Sequence, residues 1–139
     1  MDIELRSAAA EDVPAVLAFW KIAAEGTNRG GDDTAAVEAL LSRDPSALLL
    51  AVAGGEIVGS LIAGFDGWRC HLYRFAVHPE RRRQGIGARL LAAAEERFRG
   101  FGAWRVDAMV LEDNTLAHQV WAAAGYAPQE EWRRWVKSL

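Results

Sequence analysis

The chain has 139 residues, 51% of them hydrophobic and 25% charged, and a net charge of −3. That balance is the composition of an ordinary globular protein. It argues against disorder and against the broad basic field with which a nucleic-acid-binding domain attracts its partner. One cysteine, Cys70, excludes an intramolecular disulfide and a cysteine-rich zinc site.

No uninterrupted apolar stretch reaches the ~18 residues of a membrane-spanning helix. The opening MDIELRSAAAED begins with acids and lacks the basic-then-apolar order of a secretory leader. A single cytoplasmic domain over residues 1–139 is expected, with no metal site, membrane or nucleic-acid partner. No fixed-period repeat is visible.

In chain order, Asp2 to Arg6 alternates polar and apolar residues and predicts a short strand. Glu11, Asp12 and Pro14 resemble the first turn of a helix. Val13, Val16, Leu17, Trp20 and Ala24 recur along it at helical spacing. The glycine-rich GTNRGGDD, residues 26–33, predicts a loop, and Asp32 to Arg43 a second, short helix. The segment SALLLAVAGGEIVGSLIAGF then holds two apolar runs split by Gly54-Gly55, a hairpin signature. Both runs are nearly continuous, so both sheet faces are expected to be covered. Cys70 to Val77 predicts another strand after the turn at Asp66-Gly67-Trp68.

Ala88, Leu90, Leu91, Ala94, Phe98 and Phe101 mark an amphipathic helix that stops near Gly100 and Gly102. Trp104 to Leu111 predicts a strand. Asp113 or Asn114 caps a helix bearing Leu116, Ala117, Val120, Trp121 and Ala124, ended by Gly125. Tyr126 to Val136 predicts a last strand that closes the sheet. The order β-α-α-β-β-β-α-β-α-β describes an α/β protein. Its mixed sheet of about six strands, flanked by four helices, is a meander joined to a parallel crossover.

Between that crossover helix and the strand before it lies HPERRRQGIGARLL, residues 78–91. Gly85-Ile86-Gly87 has no third glycine at Rossmann spacing, and neither Lys21 nor Lys137 follows a P-loop. Alone, Arg81 to Arg83 reads as a solvated basic turn. Beside the glycines and a helix start it reads as an anion site. Unpaired backbone N–H groups and the positive helix end face the anion, glycine lets it approach, and arginines add charge-assisted hydrogen bonds.

The spacing Arg82-x-x-Gly85-x-Gly87 resembles the pyrophosphate loop of the GNAT N-acetyltransferases. LYRFAVHPERRRQGIGARLL looks like that family's fourth strand, loop and third helix. Asn114 to Tyr126, N-x-x-A-x-x-V-W-x-x-x-G-Y, looks like its fourth helix and following turn. The likeness covers essentially the whole chain and is closest to small stand-alone bacterial members. It implies a GNAT-like fold and an acetyl-CoA-dependent acyltransferase. It also implies a coenzyme A site formed by Phe75, Ala76, Val77, Arg82, Arg83, Gln84, Gly85, Ile86, Gly87, Ala88, Asn114, Ala117 and Trp121.

Moving an acetyl group from a thioester to an amine requires a donor at the developing negative charge, a base for the amine proton and a stabilised thiolate. Candidate bases are His71, at a position where some family members carry glutamate, then Tyr73 on the same strand face, Glu112 and Glu25. Trp121 stands where many members have a tyrosine acid, and an indole is no practical acid at neutral pH. The general acid is left open. His71, as the immediate neighbour of Cys70, points to the opposite sheet face, so direct transfer is expected rather than an acetyl-cysteine.

The acceptor, a small-molecule or peptide amine, is expected among the first two helices, residues 26–33 and the turn at Asp66 to Arg69. Asp32, Asp33 and Asp66 are possible partners of its charge, with Trp20 and Trp68 stacking or packing. The rival is a catalytically weak acyl-CoA-binding sensor or interaction module. Trp132 and Trp135 near an edge leave both monomer and homodimer open.

Overall fold

The computed structural model describes residues 2–23 and 33–139. Two compact units divide the chain, Met1–Met109 and Val110–Leu139. The first holds a five-stranded sheet in the order β1 (Ile3–Ser7), β2 (Leu48–Ala53), β3 (Glu56–Phe65), β4 (Cys70–Val77) and β5 (Val106–Ala108). Neighbours are antiparallel except β4 and β5, which run parallel. Helices α1 (Val13–Ala23) and α2 (Thr34–Arg43) lie between β1 and β2, and α3 (Ile86–Gly100) makes the crossover from β4 to β5. The second unit contains α4 (Thr115–Ala123).

The expected mixed α/β order is present, with two differences. Residues 126–136 form no strand: Pro128 lacks a ladder donor, and the Trp132 N–H bonds the Gln129 carbonyl to close a turn instead. The strand expected over residues 104–111 is confined to Val106–Ala108, and Trp104 lies exposed outside it. Gly54 and Gly55, both with positive φ (57° and 82°), make the two-residue hairpin turn between β2 and β3.

Both sheet faces are covered, as the continuous apolar runs require. One carries Leu48, Leu50, Ile62 and Ala76 against Val16, Phe19 and Trp20 of α1 and Val37 of α2. The other receives α3 through Ile86 and Leu90. These approach so closely that a Cβ added to Gly59 would meet them at 2.9 and 3.0 Å. At the far end of α3, the Arg97 guanidinium donates to the Ala63 carbonyl of β3 at 3.1 Å, pairs with Asp44 at the end of α2, and lies over the Phe101 ring.

The acids expected to open α1 serve otherwise. Asp12 closes a 3-10 turn (Ala10–Asp12) before the helix, where it takes both Arg6 guanidinium donors at 2.7 and 2.9 Å and the Ala9 N–H at 2.7 Å. Foremost through the Arg6 hydrogen bonds, its carboxyl is held below the usual range. The pair therefore contributes stability fully above the ordinary aspartate pKa of about 3.9, and loses it as pH falls through the lower folded value. Asp12→Asn is expected to cost about 1–2 kcal/mol in urea denaturation at pH 7, and markedly less at pH 2.

Candidate active site

Strand β4 changes face partway along. Ser60 pairs with Ala76 and Ile62 with Tyr73, so Leu61 alone stands opposite both Arg74 and Phe75. That is a β-bulge, with Arg74 in the left-handed region at φ 52°. The extra residue shifts the alternation by one. Tyr73 and Ala76 both fall on the α1 side, while Phe75 and Val77 face α3, where a Cβ on Gly87 would sit 3.0 Å from the Phe75 ring and 3.7 Å from Val77. Pairing with β5 stops at Leu72. The His78 N–H goes to the Val58 carbonyl of β3, so the Val77 N–H points to the opposite edge, on the side from which β5 has departed.

The arginine loop leads directly from that edge. The His78 Nδ1 accepts the Glu80 N–H at 3.1 Å and caps a 3-10 turn, Pro79–Arg81, which gives His78 a local structural role. Arg83 and Gly85 both take positive φ (66° and 79°), and the chain enters α3 with no side-chain cap. The contrast with the other helices is direct: Asp33 caps α2 through the Ala36 N–H, and Asn114 caps α4 through the Ala117 N–H. The α3 amides at Ile86, Gly87 and Ala88 therefore receive no bond from an N-cap side chain. Arg82, Arg83, Gln84, Gly85 and Ala88 are exposed, Ile86 is core, and the space where a Gly85 side chain would stand is open. This is a surface turn shaped for an anion.

On the α1 side of β4, His71 lies level with Asp107 of β5 across the parallel pair. Its Nδ1 is 2.7 Å from the Asp107 carboxylate, while Nε2 is 3.8 Å from Asp66. A carboxylate only accepts, so the neutral imidazole carries its proton on Nδ1 and leaves Nε2 bare. Asp66 is itself fixed by the turn it builds, taking the Arg69 and Trp68 N–H groups at 2.6 and 2.8 Å; those two bonds hold its carboxyl below the usual range. The structure thus joins His71 to Asp107, a residue that composition and periodicity did not single out.

Tyr73 shares the His71 face, its ring against Gly64 of β3. Burial, then the charge of Asp44, pushes its phenol above the ordinary value, which keeps it protonated and disfavours it as a base. Cys70 is buried on the opposite face, where burial and then the charges of Asp66 and Asp107 raise its thiol pKa. A thiol held protonated is a poor nucleophile. Trp20 is buried and packs, Trp68 is exposed, Asp33 is the helix cap, and Glu25 and Asp32 lie outside the described residues.

Within the second unit, Glu112 is exposed and belongs to no strand. Trp121 is engaged at the end of α4. The Gly125 N–H bonds Ala122 and the Tyr126 N–H bonds the Trp121 carbonyl, with Gly125 at φ 94°. The Tyr126 ring meets the indole edge-on at 5.0 Å, the apolar contact that accompanies this type of helix stop. His118 reaches the Leu111 carbonyl at 2.9 Å. Among the described residues no group of histidines, cysteines and carboxylates could hold a metal ion, and no helix is long and apolar enough to cross a membrane.

The chain that carries this mixed sheet, its bulged and parting strand and the glycine turn beside it has relatives among known proteins. The sequence model of the acetyltransferase (GNAT) family matches residues 15–126. The chain belongs to the GNAT acetyltransferase family. It is 34% identical over 112 residues to an acetyltransferase of Pectobacterium atrosepticum, covering 81% of this chain and 79% of that one. Among solved structures, the PaiA N-acetyltransferase of Thermoplasma acidophilum in complex with coenzyme A superposes with a TM-score of 0.76 at 20% identity. The match covers 93% of this chain and 92% of that one. The aminoglycoside enzyme AAC(6')-Iy, in complex with a CoA-containing bisubstrate analog, gives 0.80 at 20% identity over the full length of both.

The His71–Asp107 geometry has a direct spectroscopic consequence. Nitrogen NMR of the neutral imidazole is expected to show one tautomer with Nε2 unprotonated, and Asp107→Asn to give a mixture of both.

Proposed function

We propose that this chain, as one domain, transfers an acetyl group from acetyl-CoA to a primary amine directly, with both substrates bound. The turn from Arg82 to Ala88 carries the reading: an uncapped helix start, a glycine with open space before it and exposed arginines suit a diphosphate. The coenzyme A complex of the Thermoplasma acidophilum relative supports the same assignment. Bound there, acetyl-CoA supplies the acetyl group activated as a thioester.

The protein's own groups divide the remaining work. The outer edge of β4 along Phe75, Ala76 and Val77 binds the pantetheine arm through main-chain groups, the outward Val77 N–H among them. The same edge offers an N–H to the thioester oxygen, where negative charge develops. Asn114, Ala117 and Trp121 belong to this cofactor assignment by family resemblance. His71 takes the amine proton at Nε2, Asp107 holds the ring in the required tautomer, and Tyr73 and Glu112 are the lesser candidates. As the amine–carbonyl bond forms the C–S bond breaks, and CoA leaves as a thiolate that takes its proton from solvent. Holding both reactants in attacking geometry contributes on the order of 7–11 kcal/mol in favourable cases.

The acceptor is a small-molecule or peptide amine that enters from the α1 side, beside Asp66. A relative in complex with a bisubstrate analog that joins CoA to acetylneamine supports a small acceptor without naming this one. The packed Trp121 favours a second reading, an acyl-CoA-binding module with little turnover, because it places no evident acid at the usual tyrosine position.

Acetyl-CoA at ~1 mM is expected to raise the melting temperature by several degrees. Gly87→Glu, which drives an anionic side chain toward Phe75 and the diphosphate, is expected to abolish that rise. A wild-type chain showing no shift removes the acetyl-CoA assignment. Thiol release with a panel of amines separates enzyme from module. His71→Gln is expected to lower kcat on the order of 10²-fold, with loss of the pH-profile limb that reports the base. Unchanged rate and profile would remove His71 from the role.

A further inference from the structure

Inside the sheet, one polar side chain is buried among the described residues: Ser60 of β3, with no solvent exposure. Its Oγ accepts the indole N–H of Trp20 at 2.9 Å and donates to the Arg74 carbonyl at 2.8 Å. Trp20 belongs to α1, and Arg74 is the left-handed residue of the β4 bulge. The Arg74 guanidinium also returns over the Trp20 ring, 5.5 Å from its centroid.

The location gives the serine its purpose. A bulge sets two residues against one, so the partner strand cannot match every backbone group of the bulged strand. The fully buried hydroxyl supplies a donor to the Arg74 carbonyl at that point, and the indole fixes the hydroxyl's orientation by occupying its acceptor side. A non-glycine residue held at positive φ is strained and persists only where its surroundings over-determine it. Two contacts from α1 do so here: the Trp20–Ser60 relay to the carbonyl and the indole face beneath the guanidinium.

We infer that Ser60 and Trp20 are positioning residues for acyl-carrier binding: by clamping the Arg74 carbonyl they hold the bulge that turns Phe75 and Val77 toward α3 and aims the Val77 amide at the open edge of β4. The inference rests on the acetyl-CoA reading above. Neither residue touches the cofactor; both act through Arg74.

Calorimetric titration with acetyl-CoA tests it, with circular dichroism as the check on folding. Wild type is titrated first, and absence of binding overturns the acetyl-CoA reading and this inference together. Given wild-type binding, Ser60→Ala is expected to fold and weaken Kd about tenfold. Adding Arg74→Gly, which adopts positive φ without strain, is expected to restore several-fold of that affinity. A role limited to stability predicts a lower melting temperature, unchanged Kd and no recovery in the double variant. Should Ser60→Ala fail to fold, Trp20→Phe decides: it keeps an aromatic ring and the serine, and is expected to weaken Kd about threefold. Wild-type affinity, within twofold, in every folded variant overturns the inference.

Discussion

The bulge at Arg74 and Phe75 is the constraint from which the rest of the first unit's chemistry follows. Without the extra residue, β4 would keep one alternation throughout, and Tyr73 and Phe75 would face the same side. With it, the strand serves two clients. Its first half presents His71 and Tyr73 toward α1, and its second half seats Phe75 and Val77 under the glycine turn of α3. The early parting of β5 completes the arrangement, since a full-length parallel partner would occupy the outward amides. In the proposed function, acyl carrier and acceptor approach one strand from different directions.

Electrostatics in this unit are local rather than global. A chain with net charge −3 cannot draw a polyphosphate by its overall field. In the proposed function the attraction is concentrated in one turn, where an uncapped helix start and exposed arginines coincide. Near His71 the sign reverses, with Asp66 and Asp107 on either side of the imidazole. Opposite charges at two stations along one strand suit an anionic carrier and a cationic acceptor arriving separately.

Much of the architecture was legible because it is written in local chemistry. Gly54-Gly55 announced the hairpin, the limits of β4 and the stop of α3 followed from apolar pattern and glycine, and Arg82-x-x-Gly85-x-Gly87 marked the loop. What escaped is what depends on register. Asp107 is an ordinary strand carboxylate until the parallel pairing sets it level with His71, and no spacing of 36 residues carries that information. Ser60 did leave a trace, a lone hydroxyl in an apolar run, but its partners come from α1 and β4. Trp132 and Trp135 misled in the opposite sense: aromatic residues have high strand propensity, yet Pro128 and the turn at Gln129 give them no ladder to join.

Arg97 bears on how this scaffold moves. Its guanidinium fastens the last turn of α3 to the carbonyl of Ala63 and to Asp44, across the rim of the sheet. A rod held at its tail by Arg97 and at its head by Ile86 and Leu90 against Gly59 cannot slide along the surface beneath it. The glycine turn opens directly onto that packed head, so in the proposed function the diphosphate meets a cradle whose place along the strand is already fixed.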